Sequence, residues 1–244
     1  MPDQAYRVKG THVTSPYPLH LTPGEHRLIF TLEKFFTPEY ILPDCYFPKP
    51  DQPNNQDEPN QPAYSNPAKR LHHSNRLAST VASTAALTQI DCLALHPSGL
   101  YIFESKDYTG WIYGDCERRS WTEVLNFGRE KHQFYNPVLQ NSLHLTTIQN
   151  LLTDFSHLPL YSIIVFGRSA TLKVVDHLPD HCHICTQAHL RTLLHQLTNQ
   201  NFLSGSDLKS LHELLEQSRI NPDAIIRDQH ITEASFAERH RQHL

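Results

Sequence analysis

Asp91, Glu104 and Lys106 stand at the open ends of two apolar runs, "QIDCLALH" (89–96) and "GLYIFESK" (99–106). Charge beside buried strands has to be paired, neutralised or used. A tight turn at Pro97 and Ser98 predicts a hairpin that pairs His96 with Gly99, Leu95 with Leu100, Leu93 with Ile102 and Asp91 with Glu104. Strand side chains alternate, so Asp91, Leu93, Leu95, Leu100, Ile102, Glu104 and Lys106 share one face, and a slip of one residue would undo this. Directly opposed carboxylates, with Cβ atoms roughly 4.5–5.5 Å apart, repel. A raised pKa, a neighbouring cation such as Lys106, or a bound divalent metal would relieve that repulsion. Two carboxylates and an ammonium also suit metal-assisted phosphodiester hydrolysis, with hard oxygens holding Mg²⁺ and the lysine steadying developing negative charge. Taken alone, many hairpins match this spacing, and a structural ion-pair cluster explains it better than metal chemistry does.

The elements that must position this group can be read around it. The other hairpin face, Cys92, Ala94, Tyr101 and Phe103, is apolar too, which predicts helices on both sides of the sheet. "TPGEHRLIFTLEKFF" predicts a helix with Thr22 as cap, Pro23 at its first position, Glu25 closing a capping box, and Leu28, Leu32, Phe35 and Phe36 on one face. "YILPDCYF" predicts a strand whose Pro43 calls for an edge or a bulge. A polar loop is expected from the hairpin to about residue 133. Asn136 then caps a helix with a buried stripe of Leu139, Leu143, Ile148, Leu151 and Leu152, and with Gln140, His144 and Thr147 opposite. "YSIIVFG", "TLKVV" and "HCHICT" predict strands, and 186–197 a helix. Helices are expected over the last forty residues, beginning at "SGSDLKSLHELL", where Ser204 and Asp207 have capping-box spacing.

The 244 residues suffice for one sizeable α/β domain with an appendage. Residues 48–67 hold six prolines and seven Asn or Gln, so 48–76 is expected to be a flexible insertion between strands. The organisation expected is an irregular lead-in over 1–21, a domain over 22–197 and a helical C-terminal extension over 198–244. A net charge of −4 gives no global nucleic-acid signal; local patches are Lys69, Arg70 and Arg76, and Arg118, Arg119, Arg129 and Lys131. Five cysteines, no signal-like N-terminus and no apolar run of membrane-spanning length point to a cytoplasmic setting.

"GE" at 24–25, "TQID" at 88–91, "GLYIFESKDYTGWIYG" at 99–114 and "NPVLQ" at 136–140 occur in the order seen in the nuclease-related domain, NERD. The chain resembles that family over roughly 22–186, and the family resembles a branch of the PD-(D/E)XK nucleases. The resemblance implies a restriction-endonuclease-like fold, a mixed central sheet flanked by helices. It implies Asp91 and Glu104 as ligands of Mg²⁺ or Mn²⁺, Lys106 as the catalytic lysine and Glu25 as an added acid. Gln89, Trp111 and Gln140 fall on family positions suited to substrate contact or site packing. The function expected is a metal-dependent nuclease, with DNA ahead of RNA as substrate; the rival is an inactive module that binds nucleic acid or a protein. The long insertion and the helical tail depart from the pattern, and the tail is a place for a homo-oligomer or protein partner.

Cys182 and Cys185 form a CxxC interleaved with His181 and His183, but no second such motif exists and ordinary strand packing explains them better than zinc. Capping alone accounts for Glu25 as well as a catalytic part does.

Overall fold

The computed structural model describes residues 6–8, 11–13, 21–50 and 87–221. The insertion from residue 51 onward, with Lys69, Arg70 and Arg76, and the tail from 222 lie outside the described residues. Two short strands, β1 (Tyr6–Val8) and β2 (Thr11–Val13), pair antiparallel within the stretch expected to be irregular.

Helix α1 (Pro23–Leu32) starts as expected, with Thr22 and Glu25 forming a reciprocal capping box and proline in the first turn. It ends at Leu32, so Phe35 and Phe36 pack from the turn beyond. Strands β3 (Ile41–Pro48), β4 (Leu87–His96), β5 (Gly99–Lys106), β9 (Leu160–Phe166) and β11 (Cys182–Thr186) form a sheet in the order β11-β9-β5-β4-β3. β5, β9 and β11 run parallel, while β3, β4 and β5 are antiparallel neighbours. Pro43 therefore lies in an edge strand, where its missing N–H costs no ladder bond. The hairpin turn holds Gly99 at φ 144, and any Cβ there would run into the carbonyl of Pro159.

The expected polar loop is instead three strands. β6 (Trp111–Asp115), β7 (Ser120–Leu125) and β8 (Glu130–Tyr135) join β10 (Thr171–Asp176) in a second mixed sheet, ordered β10-β6-β7-β8. Their alternation is weak because β8 is an exposed edge strand, and the buried anchors, Ile112 and Trp121, are widely spaced. The basic residues Arg118, Arg119, Arg129 and Lys131 are exposed on the β6–β7 turn and along this edge, where charge opposes strand-to-strand association.

Helix α2 (Pro137–Leu151) takes its Asn136 cap and Pro137 start as expected, but its buried face is turned. Val138, Asn141, His144, Leu145 and Ile148 face inward, while Leu139 and Leu143 are half-buried. Polar Asn141 and His144 in the buried stripe erase the apolar periodicity from which the face was read. Asn141 Nδ2 donates to the Ile102 carbonyl and to Ser162 Oγ, which secures the helix to the sheet.

Helices α3 (Leu190–Leu197) and α4 (Gly205–Ser218) complete the layers, α3 beginning later than the expected 186. Leu93, Leu95, Leu100 and Ile102 meet α2 and α4 on one face of the five-stranded sheet, through Leu145, Ile148, Leu208, Leu211 and Leu215. Ala94, Tyr101, Phe103, Ile163 and Val165 meet α1 and α3 on the other. α4, in the stretch read as an extension, is packed against the sheet, and its apolar face is used within the chain. Ile112, Trp121 and Val138 join Ile164 and Phe166 in a third cluster that ties the second sheet to the first. The architecture is mixed α/β, two mixed sheets flanked by helices, consistent with a restriction-endonuclease-like fold.

Candidate functional site

The hairpin register is the expected one from His96–Gly99 to Cys92–Phe103. Beyond it the backbone ladder stops, and the Asp91 carboxylate takes over: its Oδ2 accepts from the Ser105 N–H at 2.7 Å. Burial, then the neighbouring Glu104 charge, raise the Asp91 pKa from 3.8 to about 7, with the Ser105 bond and Lys106 opposing and Glu25 adding to the rise. Asp91, Glu104, Lys106 and Glu25 therefore share one electrostatic neighbourhood.

Glu104 is 1% exposed, so its charge has to be met by protein groups. Lys106 Nζ lies 2.6 Å from its Oε1 and also donates to Gln140 Oε1 at 3.0 Å. The second oxygen, Oε2, lies 3.3 Å from His144 Nε2, yet both atoms are buried without a hydrogen bond. His144 is fixed from its other side, with Nδ1 2.9 Å from the hydroxyl of Thr88. The line Thr88–His144–Glu104–Lys106–Gln140 thus runs through the interface of β4, β5 and α2.

Glu25 reaches the neighbourhood from the first turn of α1, and its Oε2 accepts from the Thr22 N–H at 2.6 Å, so it caps as well. Gly24 permits the approach: a Cβ there would lie 2.9 Å from the Asp107 carboxyl and 3.0 Å from Ser105 Oγ. Gln140 joins the cluster, whereas Gln89 and Trp111 do not. Gln89 is exposed and donates to Asp44 Oδ1 at 2.7 Å. Trp111 opens β6 in the second sheet, with Lys173 Nζ 5.0 Å from its ring centre. Thr88 and Asn141 were missed by sequence reasoning, and His144, expected with Gln140 on the polar stripe of α2, is instead buried against Glu104; a histidine and an asparagine in one helical stripe with Leu145 and Ile148 were the signal available.

Among the described residues no group of three or more His, Cys, Asp or Glu is arranged to hold a metal ion. Asp91 and Glu104 nonetheless offer the hard oxygens and the unrelieved charge that suit Mg²⁺ or Mn²⁺. Such ions bind through one or two carboxylates and keep waters or phosphate oxygens in their other positions. Glu104 Oε2 faces His144 Nε2 and Oε1 faces Lys106, so an ion there would share the carboxylate with these two groups. Zinc at the CxxC does not fit: Cys182 packs in the cluster of the second sheet and Cys185 among the α1 and α3 residues. Burial pushes both thiols up, to about 11 and about 12.

Fold and site together define a mixed α/β protein with a carboxylate–carboxylate–lysine cluster at the end of its central hairpin. Residues 64–167 match the model of the nuclease-related domain family, NERD, and the chain is similar to that family over this segment. An uncharacterized protein of Bacillus anthracis is 28% identical over 136 residues, which cover 56% of this chain and 62% of that relative. The match therefore spans less than two thirds of the relative's length. No solved structure matches the chain. Among the described residues no helix is long and apolar enough to cross a membrane.

Proposed function

We propose that the protein is a metal-dependent nuclease that hydrolyses phosphodiester bonds in DNA. The observation that carries this reading is the raised Asp91 carboxyl beside buried Glu104 and Lys106, within a segment of nuclease-related sequence. Asp91 and Glu104 would hold Mg²⁺ or Mn²⁺, which when bound makes a coordinated water more acidic and draws charge from the phosphate. Lys106, held between Glu104 and Gln140, would offer its ammonium to the phosphate or the attacking water. Gln140 keeps Lys106 oriented, and Thr88 keeps the His144 ring against Glu104, excluding water from behind the carboxylate. Glu25, whose negative charge adds to the rise at Asp91, would act as an outer acid.

The test is cleavage of plasmid, linear duplex and single-stranded DNA with Mg²⁺ or Mn²⁺ and with chelator. Glu104→Gln and Lys106→Ala are expected to lower the rate at least a hundredfold, in line with loss of a positioned acid–base or electrostatic group. Cleavage that survives both substitutions, or that ignores chelator, would rule the mechanism out. One observation favours a second reading: Glu104 is closed behind Lys106, as in a module that binds nucleic acid without cutting it. Binding with no cleavage under any metal would select that reading.

A further inference from the structure

A surface depression of about 480 Å³ lies between α1, the turn after β9 and the start of α3. It contains Arg27, Phe30, Arg168, Gln187 and Arg191, residues so far apart in sequence that no charge run announces them. Arg27 is ion-paired with Asp107, the residue after Lys106. Among the described residues Arg168 and Arg191 are exposed and pair with no carboxylate. In a chain of net charge −4 these are concentrated and uncompensated cations. Phe30 is 65% exposed, and Lys34 Nζ lies 4.8 Å from its ring centre, so an aromatic platform stands among them. Gln187 fixes the floor, its Nε2 donating to the Arg27 carbonyl and Thr31 Oγ1, and its N–H to the Phe166 carbonyl.

The position gives this depression its meaning. The Gly167 N–H donates to the Lys106 carbonyl, so Arg168 follows directly from the strand end beside Lys106. The cleft therefore opens at the carboxyl ends of the parallel strands β5, β9 and β11, where open α/β sheets bind ligands. Guanidinium groups suit phosphate oxygens bidentately, and an exposed ring beside them suits an unpaired base. We propose that this cleft holds single-stranded DNA running out of the Asp91–Glu104–Lys106 site, with Arg168 and Arg191 each on a backbone phosphate and a base stacked on Phe30. The inference rests on the nuclease reading for its substrate class.

The test is fluorescence anisotropy of a labelled oligothymidylate, and of a duplex, with the full chain in chelator at several salt concentrations, where no metal-dependent cleavage proceeds. Arg168→Ala with Arg191→Ala is expected to weaken oligothymidylate binding roughly tenfold or more and to reduce the salt slope by about 1.4, the value for two phosphates of a single strand. Phe30→Ala is expected to weaken it about fivefold or more with the slope unchanged, and to leave duplex binding as it was. These side chains are exposed, so circular dichroism of the variants should match the parent. No binding by the parent, or unchanged affinity and slope in the variants, overturns the proposal. A parent that binds through these residues yet never cleaves supports the cleft and overturns the nuclease reading. Variants that still bind as the parent does, in a chain that cleaves, do the reverse.

Discussion

Asp91 carries a pH dependence that stability measurements can read. Its carboxyl ionises near pH 7 in the fold against 3.8 when unperturbed, chiefly through burial and then through Glu104. Below about pH 4 the group is protonated in both folded and unfolded chains and costs nothing. As pH rises toward 7 the unfolded chain sheds its proton first, so stability falls, and above that the full burden stands, up to about 4 kcal/mol. Asp91→Asn keeps an oxygen for the Ser105 N–H and removes the charge. It is expected to raise the unfolding midpoint in metal-free buffer at pH 8, with the gain gone at pH 4; an equal gain at both would show that the carboxyl is not held in its neutral form. The same residue shows why a site is costly: the group that could bind a cation is one whose charge the fold disfavours.

At the scale of elements, α2 and α4 divide one face of the sheet between them. α2 spends part of its face on Asn141 and His144, which bond to the Ile102 carbonyl, Ser162 and Thr88 and stand against Glu104. α4 supplies what α2 lacks in apolar contact, with Leu208, Leu211 and Leu215 against Leu93, Leu95 and the β3 residues Leu42 and Phe47. Leu211 is fully buried, and Leu211→Ala is expected to cost about 2–5 kcal/mol in denaturant unfolding. A loss below 0.5 kcal/mol would show α4 to be an appendage. The turn of the hairpin is held by the same region: the Phe202 and Leu203 N–H groups both donate to the Pro97 carbonyl. The tail region thus helps fix the register on which Asp91 and Glu104 depend.

For the whole molecule, the coupling between site and fold gives a direct prediction about metal. An ion that binds the folded chain and not the unfolded one stabilises it by mass action, about 2.7 kcal/mol at a hundred times its dissociation constant. Mn²⁺ added to metal-free protein is expected to raise the unfolding temperature at pH 8, and Asp91→Asn to abolish that rise while leaving the protein folded. An unchanged midpoint with Mn²⁺ on the parent chain would remove the metal from the account.

Local signals settled much of this architecture in the sequence. Capping boxes at Thr22 and Ser204, the Asn136–Pro137 start and the alternation of the 89–106 hairpin are set by neighbours within a few residues. The same hairpin carried Asp91, Glu104 and Lys106, because strand alternation fixes which side chains share a face. The second sheet was hidden, since an edge strand such as β8 need not alternate. The inward turn of His144 and the convergence of Arg27, Arg168 and Arg191 were hidden too, because each depends on which distant element packs beside it. Periodicity records how a segment divides itself between core and water; it holds no term for a polar side chain whose partner is a buried carboxylate on another strand, and that partnership exists only once the chain has folded.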